Sequence, residues 1–224
     1  GWYDSYTRST CENFIGLSAR KLGPVRMLMG PWTHGAVTLE LSYAGDVEFG
    51  AEAALDSFRD LHLRYFDWAL KGIDTGVEDD PDYRAYLMDG MRPATWTHER
   101  PGRWITEPTG ATSHLPVKTL HLTDEGLQDT AAPLDRSVAS PAHCGADGGE
   151  YCAIWLGPEM PGDQRQDDAL SVCFDSGPLA QQMDILGAPR LRLRLACDKP
   201  QGQIAVRLNH IHPDGASARI TYGV

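Results

Sequence analysis

The pattern of hydrophobic residues changes period near Asp82, and this change constrains the fold more than any other feature of the sequence. Before it, apolar residues recur at three- and four-residue steps over residues 51–72, or form the short run 25–29 between Gly-Pro turns. After it, apolar and polar residues alternate in short runs separated by Gly, Pro and Asp. The first pattern predicts helices and a buried parallel strand, and the second predicts antiparallel strands. We therefore expect an α/β portion followed by an all-β portion.

The elements predicted from this pattern are few and short. Helices are expected over residues 11–20 and 51–72, with Lys71-Gly72 ending the second, and an acidic loop over 74–82. Arg and Leu alternate strictly from 190 to 195, which is typical of a half-solvated antiparallel strand. Pro213-Asp214-Gly215 has the composition of a hairpin turn. Strands are predicted over 84–88, 117–122, 170–174, 190–196, 203–211 and 217–222, a spacing that favours a β-sandwich or jelly roll.

Composition excludes several classes of protein. The chain has 224 residues, of which 42% are hydrophobic and 23% charged, as in ordinary folded proteins. Its net charge of -11 repels nucleic-acid phosphates and anionic lipid heads, so we expect neither nucleic-acid nor membrane partners. With no signal peptide and no run long enough to cross a membrane, we predict a soluble protein, cytoplasmic or secreted. Because the chain opens on Gly1 and its last alternating run stops at Val224, we also expect a piece of a longer protein.

The five cysteines include no C-x-x-C pair and are too sparse for a disulfide scaffold. Free thiols are expected, with Cys144 and Cys152, which flank a Gly-rich loop, as the pair to test for a disulfide. His210 and His212 lie on one face of a predicted strand, but no third ligand lies near them in sequence. The acidic residues of the 74–82 loop (Glu78, Asp79, Asp80 and Asp82) miss the spacing of an EF-hand. We therefore expect no metal and no cofactor.

Asp4 and His34 are the strongest candidates for chemistry. Asp4 directly follows the apolar Gly1-Trp2-Tyr3, and His34 follows the predicted strand at 25–29 in Gly30-Pro31-Trp32-Thr33-His34. Each would sit at the carboxyl end of a parallel strand, the edge at which α/β sheets place catalytic groups. The order Asp, then His, matches the second and third members of an α/β-hydrolase triad. From spacing alone, a capping Asp and an incidental loop His are the favoured explanation.

A serine nucleophile in a G-x-S-x-G turn is not found in the sequence. Residues 16–20 and 215–219 begin with Gly-x-Ser but both lack the final Gly. The first lies in a predicted helix and the second in a predicted hairpin, whereas the nucleophile needs a strand-to-helix turn.

Three motifs of the first part stand out together, Gly-Trp-Tyr-Asp at 1–4, Gly-Pro-Trp-Thr-His at 30–34 and the stretch 61–72. Three stretches of the second part accompany them in order, 86–90, 120–122 and 206–215. Together they resemble the cocaine esterase / X-Pro dipeptidyl-peptidase (CocE/NonD) group of serine hydrolases. The resemblance implies the C-terminal end of an α/β-hydrolase sheet over residues 1–110, followed over residues 111–224 by a β jelly-roll, galactose-binding-like domain.

The resemblance also implies roles for individual residues. Asp4 is then the orienting acid and His34 the general base. Apart from the resemblance, Tyr6 and Trp32 are candidates to line the acyl pocket, although aromatic side chains beside buried strands more often belong to the core. The nucleophilic Ser would precede Gly1, so this chain alone is expected to be inactive. Expected substrates are small esters, amides or X-Pro peptides, with a homodimer possible. The alternative is a non-catalytic carbohydrate-binding or interaction module, in which a ligand would stack on aromatic side chains, namely Trp96, Trp104 and Trp155.

Overall fold

The computed structural model describes residues 1–36, 40–107, 116–150 and 160–224. These residues form two compact units, the first within 1–114 and 149–160, the second within 115–148 and 161–224. The described part contains three α-helices and nine short β-strands in four small sheets. None of its helices has the length and hydropathy that crossing a membrane requires.

Two α-helices belong to the first unit, α1 (Thr7–Arg20) and α2 (Phe58–Lys71). The second begins where the Ser57 side chain accepts a hydrogen bond from the Asp60 backbone N–H at 3.1 Å. It ends at Gly72, whose φ of 67° places it in the left-handed region that glycine adopts without strain. The predicted end at Lys71-Gly72 is therefore confirmed. The predicted start at residue 51 is wrong, because only a 3-10 turn (Ala51–Ala53) precedes the Ser57 cap.

The main sheet of the first unit has three strands in the order β1-β4-β5. Strand β1 (Met27–Met29) pairs in parallel with β4 (Tyr83–Met88), which pairs antiparallel with β5 (Gly102–Glu107). A small hairpin of β2 (Tyr43–Ala44) and β3 (Val47–Glu48) follows the loop after β1. A buried parallel strand within 25–29 is thus confirmed.

The hydrophobic core of the first unit forms where this hairpin meets the sheet. It consists of small and aromatic side chains, namely Ala44, Val47, Phe49, Ala53, Tyr86 and Met160. Helix α1 contributes one buried residue, Phe14, whose ring stacks on that of Tyr83 at 5.8 Å. Helix α2 contributes none.

The second unit is built mainly from two hairpins. The first joins β6 (His121–Thr123) to β7 (Gly126–Gln128), and the second joins β8 (Val206–Ile211) to β9 (Ser217–Gly223). The predicted turn at 213–215 closes the second hairpin, where the Gly215 N–H donates to the His212 carbonyl at 2.8 Å. A four-residue helix, α3 (Arg165–Asp168), is the only α-helix described in this unit. Small sheets with so little helix agree with an all-β C-terminal domain.

Two predicted strands of the second unit are wrong. Residues 170–174 and 190–196 are both described, and neither forms a strand. The alternating leucines do not pack into a core, because Leu191, Leu193 and Leu195 are all exposed. Alternation can put leucines on one face, but a strand also needs a neighbour to receive its backbone hydrogen bonds. No described residue of the second unit offers one to 190–196.

Candidate active site

The first residues of the chain run beside the segment that follows β1. The Trp2 N–H donates to the Gly30 carbonyl at 2.8 Å, and the Tyr3 N–H donates to the Trp32 carbonyl at 3.4 Å. Asp4 therefore emerges beside the turn that carries His34. Pairing of these two segments, rather than any sequence signal between them, brings the two side chains together across 30 residues.

Asp4 and His34 form a hydrogen bond. Nδ1 of His34 lies 2.9 Å from Oδ2 of Asp4. The carboxylate can only accept, so the proton of this bond belongs to Nδ1, and Nε2 of a neutral ring keeps a free lone pair. The Asp4 side chain is 14% exposed, whereas that of His34 is 57% exposed. The imidazole is thus held on its Nδ1 side and is accessible on the other.

The second carboxylate oxygen of Asp4 is also held. Oδ1 accepts a hydrogen bond from the Tyr6 backbone N–H at 2.8 Å. Partial burial raises the pKa of Asp4, but the hydrogen bonds from the Tyr6 amide and the His34 ring outweigh it, so that this pKa lies below its ordinary value. Asp4 is therefore an ionised acceptor at neutral pH.

Thr7, the first residue of α1, closes the turn that carries Asp4. Its hydroxyl lies 2.7 Å from the Asp4 carbonyl oxygen and 2.5 Å from the Gly1 carbonyl oxygen. The Thr7 backbone N–H donates to the same Asp4 carbonyl at 3.2 Å. Sequence reasoning missed Thr7, because a Thr at a helix start has many local roles and only the folded turn reveals this one.

Glycines at 1 and 30 allow the two segments to approach. A Cβ at Gly1 would collide with the backbone carbonyl of Trp32, and one at Gly30 would collide with the indole ring of the same residue. Both glycines of the Gly-Trp-Tyr-Asp and Gly-Pro-Trp-Thr-His motifs are therefore explained by close packing around Trp32.

Trp32 itself belongs to the core. It is 3% exposed, and its indole N–H donates to the Ala53 carbonyl at 2.8 Å. This burial disfavours the predicted contact between Trp32 and a substrate. Tyr6 is placed differently, since it is 62% exposed and its ring centroid lies 5.8 Å from that of His34. The role of Tyr6 in substrate binding stays a prediction, on a side chain that is accessible beside the imidazole.

Two of the other acidic candidates, Asp80 and Asp82, pair with arginines, and the two histidine candidates lie against each other. Arg64 binds Asp80 through both guanidinium amines, at 2.7 and 3.0 Å, and Arg26 pairs with Asp82. The rings of His210 and His212 lie 4.2 Å apart. Within the described residues, no group of three or more His, Cys, Asp or Glu side chains could hold a metal ion.

The aromatic and cysteine candidates fall on both described and undescribed residues. Trp104 packs against Tyr86 at 5.4 Å, whereas Trp96 is 56% exposed. The Cys144 thiol is free and lies 3.5 Å from the Ser171 hydroxyl. Trp155 and Cys152 lie outside the described residues, so their predicted roles stay predictions.

Neither Gly-x-Ser sequence places a serine at a strand-to-helix turn. Ser18 lies within α1. Ser217 begins β9, is completely buried, and its hydroxyl donates to Asp168 at 2.6 Å. Neither residue has the position of a hydrolase nucleophile.

Residues 75–224, about two thirds of the chain, match the family described as the X-Pro dipeptidyl-peptidase C-terminal non-catalytic domain. The chain belongs to this family. Asp4 and His34 both precede the part that matches the X-Pro dipeptidyl-peptidase C-terminal domain, so the candidate site lies outside that non-catalytic region.

Two curated relatives cover the whole chain, including the candidate site. Each is named "Putative serine esterase", one from Mycobacterium bovis (strain ATCC BAA-935 / AF2122/97) and one from Mycobacterium tuberculosis (strain CDC 1551 / Oshkosh). Each is 24% identical over 228 residues, which cover 100% of this chain and 34% of the relative. The chain therefore spans about a third of the length of these relatives. No solved structure matches it.

Proposed function

We propose that this chain supplies the acid and the base of a Ser-Asp-His triad in a serine hydrolase of the cocaine esterase / X-Pro dipeptidyl-peptidase group. The observation that carries the proposal is the 2.9 Å hydrogen bond from His34 Nδ1 to a partly buried Asp4 carboxylate. The names of the two relatives and the matched C-terminal domain support a hydrolase.

In this function Asp4 fixes the tautomer of His34 and stabilises the imidazolium that forms during catalysis. Nε2 takes the proton of the attacking serine hydroxyl, whose oxygen adds to the substrate carbonyl. The imidazolium then gives that proton to the departing alcohol or amine, which leaves an acyl-enzyme. A water molecule, deprotonated by the same Nε2, releases the acid and restores the serine.

The nucleophilic serine lies outside these 224 residues in our proposal. A Ser in a G-x-S-x-G turn is expected about 100–150 residues before Asp4 in the complete protein, in the chain order of this fold. Residues 1–110 then form the end of the α/β-hydrolase sheet and 111–224 a galactose-binding-like jelly roll. The substrates are small esters, amides or X-Pro peptides, and the reaction needs no cofactor.

Turnover of a p-nitrophenyl ester by the complete protein tests this function. We expect turnover and covalent labelling of one serine by a fluorophosphonate, with both lost in His34→Ala. The matched control is His62→Ala, which removes an exposed imidazole on α2. The 224-residue chain alone should show no turnover. Turnover by that chain which His34→Ala abolishes, or full activity of His34→Ala in the complete protein, would contradict the proposal.

A further inference from the structure

Two cysteines of the second unit lie against the C-terminal end of the same short helix, α3. The Cys144 thiol donates to the Asp167 carbonyl at 3.6 Å, and the Cys173 thiol donates to the carbonyl of the next residue, Asp168, at 3.3 Å. Consecutive Cα atoms are about 3.8 Å apart, so the two sulfur atoms lie over neighbouring peptide groups. The fold therefore brings together two thiols that are distant in sequence.

Cys144 is held in place beside α3. Both carboxylate oxygens of Asp167 accept hydrogen bonds from the loop that carries Cys144, one from the Gly145 N–H at 2.7 Å and one from the Asp147 N–H at 3.1 Å. The Cys144 thiol is half-buried and also lies 3.5 Å from the Ser171 hydroxyl. The loop therefore keeps this sulfur next to the segment that follows α3, whatever its own contacts are.

Cys173 is the thiol that is free to approach. It is exposed, and residues 172–179 around it form neither helix nor strand. It follows Ser171, which the Cys144 thiol already contacts, by two positions. An exposed side chain changes rotamer within nanoseconds, so a short movement of Cys173 toward the fixed sulfur requires no unfolding of α3. A small reagent in solution also reaches Cys173 more easily than the half-buried Cys144.

The surroundings of Cys173 disfavour its thiolate form. Partial burial of the sulfur raises the pKa of Cys173, and the nearby carboxylates of Asp168 and Asp175 raise it further. The Cys144 thiol acts in the same direction, whereas Arg207 opposes it. A disulfide is easily reduced when the protein stabilises the thiolates that reduction releases. Cys173 has the opposite environment, so a disulfide at this position should resist reduction.

We propose that Cys144 and Cys173 form a disulfide when the protein meets a low-molecular-weight disulfide, and that this bond fastens the loop at 141–148 to the segment after α3. The Cys173 thiolate attacks the small disulfide, and one small thiol leaves. The Cys144 thiolate then attacks the Cys173 sulfur of the mixed disulfide, and the second small thiol leaves. Two protons and two electrons thus pass from the protein to the small disulfide. This proposal does not depend on the proposed hydrolase function.

Mass spectrometry of the complete protein after oxidation tests the pairing. The reduced, native protein is incubated with oxidised glutathione, its remaining thiols are blocked with N-ethylmaleimide, and it is digested. We expect one pair of peptides joined through Cys144 and Cys173, lighter by two hydrogen atoms than the reduced peptides together. A bond between Cys144 and Cys152, a glutathione that stays on Cys173, or two thiols that stay reduced would each overturn the proposal.

A matched pair of variants separates these thiols from the others. Cys197→Ser is the control, because Cys197 is another exposed free thiol of the second unit, and this variant should form the bond as the wild type does. Cys173→Ser should leave Cys144 without a cross-link. A cross-link of Cys144 in Cys173→Ser, or its loss in Cys197→Ser, would contradict the pairing.

Limited proteolysis of the unmutated protein tests the fastening without any variant. Chymotrypsin cleaves after Phe174, in the segment that the bond would restrain. We expect this cleavage to be slower by about tenfold or more in the oxidised protein, since cleavage requires local opening, and to recover after reduction. Equal rates for the oxidised and reduced protein would overturn the proposed fastening.

Discussion

Asp4 Oδ2 lies 2.9 Å from His34 Nδ1, and within the described residues nothing forms a hydrogen bond with the opposite ring nitrogen, Nε2. The acid is 14% exposed and the ring 57% exposed, so the pair is anchored at the carboxylate and open at the imidazole. A general base requires this asymmetry, because the nucleophile must reach Nε2 while Nδ1 stays occupied.

Replacing Asp4 by Asn tests the orienting role. The amide keeps the size of the side chain but can donate to Nδ1, which favours the wrong tautomer of His34. We expect kcat for an ester substrate of the complete protein to fall by at least about a thousandfold with folding intact. Asp56→Asn, at an exposed position of the same unit, is the control. Near-normal turnover of Asp4→Asn would reject the triad assignment.

Replacing Thr7 tests whether catalysis depends on the position of the turn that carries Asp4. Thr7→Val keeps the branched shape but removes the hydroxyl that contacts the Gly1 and Asp4 carbonyls. We expect kcat to fall by about ten- to hundredfold with KM unchanged, because small misplacements of a catalytic group have effects of this size. Thr7→Ser, which keeps the hydroxyl, should restore most of the loss. Equal kcat values for the Val and Ser variants would exclude a positioning role.

Tyr6 can be tested separately from the Asp4 turn. Its backbone N–H holds Asp4 Oδ1, and any side chain leaves that bond in place. Tyr6→Ala is therefore expected to raise KM by about three- to tenfold, roughly the contribution of one aromatic contact, while kcat stays near normal. Tyr6→Phe should retain most of the affinity. Steady-state kinetics on a series of acyl chain lengths measures both, and an unchanged KM in Tyr6→Ala would remove Tyr6 from the substrate site.

The lowered pKa of Asp4 has a consequence for stability. A carboxyl whose pKa is lower in the folded state stabilises the protein above its unfolded value near 3.8, and this contribution is lost as the pH falls through the folded pKa. The part of the difference in unfolding free energy between wild type and Asp4→Asn that comes from ionisation should be complete above about pH 5 and shrink steadily as the pH falls below that value. Urea titrations over this range measure it. A difference that widens below pH 4 would contradict the lowered pKa.

The secondary-structure features that the sequence predicted correctly are those determined by residues close together along the chain. The end of α2 at Gly72, the turn at 213–215 and a buried strand before Gly30 all follow from turn glycines and apolar runs. The strand expected at 190–196 does not form, because pairing depends on a distant partner that alternation cannot specify.

In the candidate site, too, nearby residues identify the candidates, whereas contacts between distant residues bring them together. The sequence pointed to Asp4 and His34 because each follows an apolar run. Their contact, however, depends on the backbone hydrogen bonds of Trp2 with Gly30 and of Tyr3 with Trp32. The spacing of the Gly-Pro-Trp-Thr-His motif does not show whether the Trp32 side chain points into the core or toward a substrate. In the structure this side chain is buried in the core. Side-chain direction in a loop is set by packing, which single-sequence patterns do not contain.

The second unit contains a largely buried ion-pair network centred on one arginine. Arg207, whose side chain is 15% exposed, lies 3.2 Å from Asp167 Oδ2 and 3.0 Å from Asp168 Oδ1. The Asp167 side chain is 3% exposed and also accepts from the Gly145 N–H at 2.7 Å. One cation therefore pairs with two carboxylates and joins β8 to α3.

Removing this cation leaves two carboxylates without their counter-charge. We expect Arg207→Met to lower the free energy of unfolding by about 3–5 kcal/mol, since breaking a buried pair from one side exceeds the cost of losing a surface charge. Arg192→Met, at an exposed position of the same unit, is the matched control and should change stability by less than about 0.5 kcal/mol. Urea denaturation of the complete protein, followed by circular dichroism, compares the two variants. Equal effects would mean that Arg207 contributes no more than a solvated arginine.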